Sequence, residues 1–183
     1  MTRRKIILVL FAITMILVAA FTGCSSNTGT QQNSQTDGQN SNREQAYDFS
    51  WKDKNGNTIR LSELEGKVVL LDFWATWCGP CKMTIPYVEQ LYENYENKGV
   101  EVIGVNLDQG VEESTIIEFV KEKGMKYLVI RDASGNVSSK YGVTSIPRFF
   151  FIDKQGRIAN IVIGYKDDMY QVFSEELDKL LEE

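Results

Sequence analysis

The 183-residue chain contains no histidine. That absence removes Ser-His and Cys-His nucleophile pairs, zinc held by imidazole and haem fixed by a protein histidine. Positive charge is in deficit, with 20 basic against 25 acidic residues and a net charge of -5, so nothing favours nucleic-acid binding. No apolar run reaches the roughly 20 residues that span a bilayer. The longest runs from Ile6 to Phe21 and is broken only by Thr14. Cysteine is scarce, and its count of three is odd, so one cysteine must lie outside any intramolecular pair. What remains is 43% hydrophobic and 25% charged, the composition of a chain with a real core. The length suits one domain plus a short appendage rather than two domains.

The N-terminus accounts for one cysteine. Arg3-Arg4-Lys5, the apolar stretch and the small residues Thr22-Gly23 before Cys24 have the layout of a secretory signal. Phe21-Thr22-Gly23-Cys24 resembles the lipobox of bacterial lipoproteins, with Phe where Leu is more usual. The resemblance implies cleavage after residue 23, acylation of Cys24 and anchoring by at least two acyl chains outside the cytoplasm. An uncleaved anchor with an incidental cysteine is the alternative. Residues 24–45 are almost entirely Ser, Asn, Gln, Thr and Gly, and predict a lipidated cysteine followed by a disordered tether.

Residues 46–183 read as a single α/β domain. Asn55-Gly56 lies between Tyr47–Trp51 and Thr58–Leu61, which predicts an N-terminal β-hairpin. Lys67–Ala75 is an apolar run suited to a strand buried on both faces, and Val100–Leu107 is a second. A helix after Cys78 carries Tyr87, Val88, Leu91, Tyr92 and Tyr95 on one face. A helix over 114–123, a strand over 127–130, a hairpin from Phe149–Ile152 to Ile158–Ile163 and a final amphipathic helix follow. This order predicts a mixed sheet covered by helices on both faces.

Trp77-Cys78-Gly79-Pro80-Cys81-Lys82 carries the chemistry. Two cysteines separated by two residues at a strand-to-helix junction can close a small disulfide. At the helix start, unpaired N–H groups and the dipole favour the Cys78 thiolate. A thiol so placed drops from about 8.5 into the range of about 3.5–7.5. Cys81 lies one turn inside, shielded as a resolving thiol should be. Gly79 allows close approach of a partner backbone, and Pro80 suits the first turn. Zinc needs about four ligands, so no metal site is expected here.

Leu71-Asp72-Phe73-Trp74-Ala75-Thr76-Trp77-Cys78-Gly79-Pro80-Cys81-Lys82-Met83 resembles the active-site segment of thioredoxin. The wider layout is similar to the TlpA/ResA-like branch of that superfamily, extracytoplasmic thiol-disulfide oxidoreductases. These share an N-terminal hairpin and a helix-strand insertion, here about 112–130. The resemblance implies a thioredoxin fold in which Ile146-Pro147 forms a cis-proline turn facing the disulfide and pairing with substrate backbone. It also implies that Gly164 leaves room for that backbone, although an ordinary bend serves equally well. Trp77 is the expected contact platform, and Trp74 and Phe73 are expected in the core.

Asp72 sits inside Val68–Trp74, where burial should raise its pKa. Such a carboxyl can take the Cys81 proton during resolution, and thioredoxin carries the same acid. A half-exposed structural acid is the alternative. Two places depart from the relatives. Gly104 stands where thioredoxin pairs its acid with lysine, and Thr84 stands where TlpA/ResA-like proteins often carry glutamate. Arg148 replaces a frequent threonine, either facing acidic partners or standing as a solvated strand-end charge.

The implied activity is disulfide reduction in exported proteins through the Cys78/Cys81 dithiol, without a small-molecule cofactor. A membrane thiol donor of the CcdA type would supply electrons, and a monomer is expected. Gly-Pro between the cysteines suggests a reductant near roughly -270 mV rather than a strong oxidant near roughly -120 mV. Two rivals remain at this point: a thiol peroxidase, and a non-catalytic redox-regulated chaperone or haem-handling lipoprotein. Thr76-Trp77-Cys78 lacks the spacing typical of peroxidatic cysteines.

Overall fold

The computed structural model describes residues 42–183, so the signal segment, Cys24 and most of the proposed tether lie outside the described residues. Five strands form the central sheet in the order β5-β4-β3-β6-β7. They are β3 (Val68–Trp74), β4 (Val100–Asn106), β5 (Leu128–Arg131), β6 (Arg148–Ile152) and β7 (Ile158–Ile163). β3, β4 and β5 run parallel, whereas β6 and β7 add antiparallel pairings. The predicted hairpin is present as β1 (Ser50–Lys52) and β2 (Thr58–Arg60), a separate two-stranded sheet. Its turn is held by Asp53 Oδ1, which accepts the N–H groups of Asn55 and Asn57, with Gly56 at φ +84.

Every residue of β3 is buried, as its apolar run predicts. Alternation divides it between two layers. Val68, Leu70 and Trp74 pack with Val88 and Leu91 of α1 (Gly79–Tyr95) and with Phe173 and Leu177 of α4 (Met169–Glu182). Ile116 of α2 (Glu113–Glu122) joins this layer. Val69, Leu71 and Phe73 face the opposite layer, with Phe49, Leu61, Tyr141 and Phe150. A short helix, α3 (Asn136–Lys140), contributes Val137 there. Full burial of one such side chain is worth about 1.5–3 kcal/mol, so both faces of β3 are strongly committed.

Composition did not reveal α3 as a helix. Its start is fixed by buried Asp132, whose carboxylate accepts the N–H groups of Val137 and Ser138 at 3.2 and 2.8 Å. Five residues are too few to show a period. The folded unit also extends further towards the N-terminus than the apolar pattern suggests. Arg43 bridges Asp153 and Glu183, and Gln45 forms a β-bridge with Arg157. Residues 43–45 are therefore docked on the domain.

Register sets the site at one edge of the sheet. Phe73 pairs with Arg148, so the end of β3 lies beside the start of β6, and Asn106 at the end of β4 pairs with Trp74. The segments that follow β3 and β4 and precede β6 therefore converge on one rim.

Candidate active site

The helix α1 begins where β3 has delivered the chain to that rim. Cys78 is its N-cap, in extended conformation, with Gly79 and Pro80 in the first turn. Pro80 loses nothing there, because the first N–H groups of a helix have no partner within it. Cys78 and Cys81 are joined by a disulfide, with Cα atoms 5.3 Å apart. The Cys78 Sγ accepts the Cys81 N–H at 3.1 Å, so the helix terminus directs a donor at this sulfur, an arrangement that favours a thiolate. Cys78 is 4% exposed and Cys81 fully buried, an asymmetry that suits attack from the first and resolution from the second.

Asp72 is completely buried. Its side chain projects from β3 into the layer of Leu70 and Trp74, the layer that holds α1. Burial pushes its carboxyl up from 3.8 to about 7, and the Tyr127 hydroxyl opposes that rise. Neither Asp72 oxygen closes a fully formed hydrogen bond. The cross-strand neighbour of Asp72 on β4 is Gly104, so the lysine-bearing place of thioredoxin brings no cation here. Sequence reasoning found Asp72 and Gly104 but not Tyr127. Tyr127 lies 55 positions beyond Asp72, and only the β3-β4-β5 pairing brings the two together.

The rim also carries an apolar groove lined by Trp77, Leu107, Val143, Thr144, Ser145 and Ile146. Trp77 is 68% exposed, the most exposed large apolar side chain among the described residues. The Ile146–Pro147 peptide bond is cis. The Pro147 carbonyl accepts the Gly164 N–H at 2.8 Å, which ties β7 to the proline turn. Gly164 has φ +81, so it needs a glycine for its backbone, while the space around its missing Cβ is open. Trp77, Ile146, Pro147 and Gly164 thus share one rim with the disulfide.

A further element lies behind the motif. Asp108, fully buried, accepts the Thr76 N–H at 2.9 Å, the Thr76 hydroxyl at 3.0 Å and the Asn106 amide at 2.7 Å. It pins the turn between β3 and Cys78. The only trace of it in the sequence is an acid just past an apolar strand.

Thr84 and Arg148 resolve differently. The Thr84 hydroxyl donates to the Cys81 carbonyl at 2.8 Å and is buried, so that position offers no charge to a partner. Arg148 is half-buried; its guanidinium donates to the Gly142 carbonyl at 3.0 Å and lies 5.6 Å from the Phe150 ring centroid. It braces the loop that leads into Pro147.

Residues 43–161 match the AhpC/TSA family. The thiol-disulfide oxidoreductase ResA of Oceanobacillus iheyensis is 43% identical over 108 residues, which span 59% of this chain and 55% of that protein. ResA of Halalkalibacterium halodurans is 38% identical over 133 residues, spanning 72% of this chain and 74% of its own length. Among solved structures, a Chlorobium tepidum protein assigned as a thiol:disulfide interchange protein, DsbE, superposes with a TM-score of 0.69 at 32% identity. That match covers 76% of this chain and 96% of the other.

Proposed function

The chain belongs to the AhpC/TSA family and is a thiol-disulfide oxidoreductase with a thioredoxin fold, and from that premise we propose that it reduces disulfides of exported proteins through Cys78 and Cys81. The observation that carries this reading is the disulfide at the N-terminus of α1, with one sulfur capping the helix and the other enclosed in the layer that the buried Asp72 faces. In the reduced protein the Cys78 thiolate attacks a client disulfide. A Cys78–client S–S bond forms, the client bond breaks, and one client thiolate leaves. Cys81 then gives its proton to the Asp72 carboxylate and attacks Cys78 Sγ. The Cys78–Cys81 bond forms, and the second client thiolate leaves. The client gains two electrons and the pair loses two. Water protonates the client thiolates. A dithiol carrier in the membrane, of the CcdA type, returns the electrons.

Trp77 and Ile146 line the groove where client side chains would lie. Pro147, tied to Gly164, together with Gly79 and Pro80 in the first turn of α1, would take an extended client backbone. Acylated Cys24 would hold the domain at the outer face of the cell membrane. Blocking of lipid labelling by Cys24→Ala tests that anchor, and normal maturation of the variant refutes it.

The principal experiment is a Cys81→Ala trap. Cells expressing the variant should accumulate exported proteins joined covalently to Cys78 and released by dithiothreitol. No adduct, or adducts that survive Cys78→Ser, would remove the exchange mechanism. Steady peroxide consumption by the purified protein would instead favour a peroxidase.

A further inference from the structure

Asp72 is a buried acid that faces no polar side chain on either neighbouring strand, Gly104 standing opposite it on β4 and Phe149 on β6, yet its carboxylate must be held for the resolving step. The register shows what lies beside it. Asp72 on β3 pairs with Gly104 on β4, and Gly104 pairs with Val129 on β5. A Cβ at Gly104 would stand 2.9 Å from Trp74 Nε1 and 3.0 Å from Tyr127 Cε2. The first distance is shorter than a real Cβ contact and the second is tight, so the Trp74 indole and the Tyr127 ring together fill the volume that a β4 side chain would need. Tyr127 is buried, and its ring packs 6.3 Å from that of Tyr92 on α1. Its hydroxyl and the two Asp72 oxygens are all buried, and none of the three closes a hydrogen bond of full geometry. They act on one another, the hydroxyl favouring the charged carboxylate.

We propose that Tyr127 is a positioning residue for the resolving step: across the gap left by Gly104, its hydroxyl donates to the Asp72 carboxylate and holds it ready for the Cys81 proton. This inference rests on Asp72 being the base. A phenol suits the place because it donates without adding charge. A cation would stabilise the carboxylate more strongly and weaken it as a base, whereas a neutral donor leaves the carboxyl near the working pH. The other polar groups around this pair are few. Glu89 on α1 faces the hydroxyl side of Tyr127; its Oε2 accepts the Lys126 N–H at 2.8 Å, and its Oε1 lies 3.6 Å from Lys126 Nζ. The Trp74 indole N–H and Tyr92 complete the surroundings, with Cys81 in the same layer.

Tyr127→Phe is the decisive variant, because it keeps the ring against Gly104 and removes only the oxygen. In the oxidised full-length protein neither cysteine titrates, so the Asp72 carboxyl can be followed by carbon-13 NMR. Its midpoint should rise by about one pH unit, the size expected for loss of a hydrogen bond to a charged group. The reduced protein is then mixed with 5,5′-dithiobis(2-nitrobenzoate), whose first thiolate reports attack by Cys78 and whose second reports resolution. Attack should be unchanged. Resolution should be about tenfold slower at pH 6 and should rejoin the wild-type rate above pH 9. Gly104→Ala, which displaces the ring, should move the midpoint in the same direction. An unmoved midpoint, or a slowing of equal size at every pH, overturns the proposal. Asp72→Asn separates the two levels. If it leaves resolution untouched, the base itself is wrong; if it slows resolution while Tyr127→Phe does not, only the role of Tyr127 is wrong.

Discussion

Replacing Asp72 by Asn should stabilise the protein at neutral and alkaline pH, and the structure sets the size of the effect. The carboxyl is wholly enclosed, and burial raises its midpoint from 3.8 to about 7. The folded chain therefore holds the Asp72 proton more tightly than the unfolded chain does. Its contribution to stability is complete below about pH 4, falls as pH rises, and is lost by about pH 7. A displacement of just over three pH units at 1.36 kcal/mol per unit amounts to about 4 kcal/mol. No discount for solvent screening applies, because the group has no exposed surface. The assay is urea unfolding of the oxidised protein at pH 4 and pH 8, where the disulfide keeps both cysteines from titrating. Other acids titrate in the same window, so the informative quantity is the difference between wild type and Asp72→Asn. That difference should widen by about 4 kcal/mol from pH 4 to pH 8, or roughly 2 M in urea midpoint at a slope of about 2 kcal/mol/M. Parallel pH profiles for the two proteins would falsify the claim that burial raises this carboxyl.

The same group should govern kinetics with the opposite sense of benefit. On the proposed mechanism the resolving step needs ionised Asp72, so its rate should climb with pH and level off above about 7 in stopped-flow measurements. Asp72→Asn should lower that plateau by about 100-fold and leave the initial attack by Cys78 nearly intact; equal slowing of both steps would count against a base. Asp108→Ala should cost about 2–3 kcal/mol by urea unfolding, because the Thr76 N–H and the Asn106 amide lose a buried acceptor. It should also lower insulin reduction by loosening the turn before Cys78, and normal stability with full activity would show that this turn needs no anchor.

Much of this protein is legible in order of residues. Val68–Trp74 and Val100–Asn106 are nearly continuous apolar runs, interrupted by Asp72 in the first and by Glu101 and Asn106 in the second, because both faces of a central parallel strand are covered, and such runs betray the strands without any partner in view. The motif of Cys78 and Cys81 carries its own chemistry, since a helix start and a two-residue spacing need no distant help. Other features were invisible for reasons of geometry. The α3 helix is too short for a period, and Asp108 acts on Thr76 from the end of another strand. Residues 43–45 have a tether-like composition but dock through backbone bridging and the Arg43 ion pairs.

The sequence by itself determined that the domain carries a single local cysteine pair, and that no imidazole is present to assist it. Histidine is absent, and Asp72 is the one acid in its strand. Only the tertiary structure decided how that carboxyl is housed. On one side the sheet sets Asp72 opposite a glycine, and the space the glycine leaves is filled by Trp74 and by Tyr127 from beyond the next strand. Burial depth and a cross-strand neighbour arise from pairing between distant segments, and no local pattern encodes them.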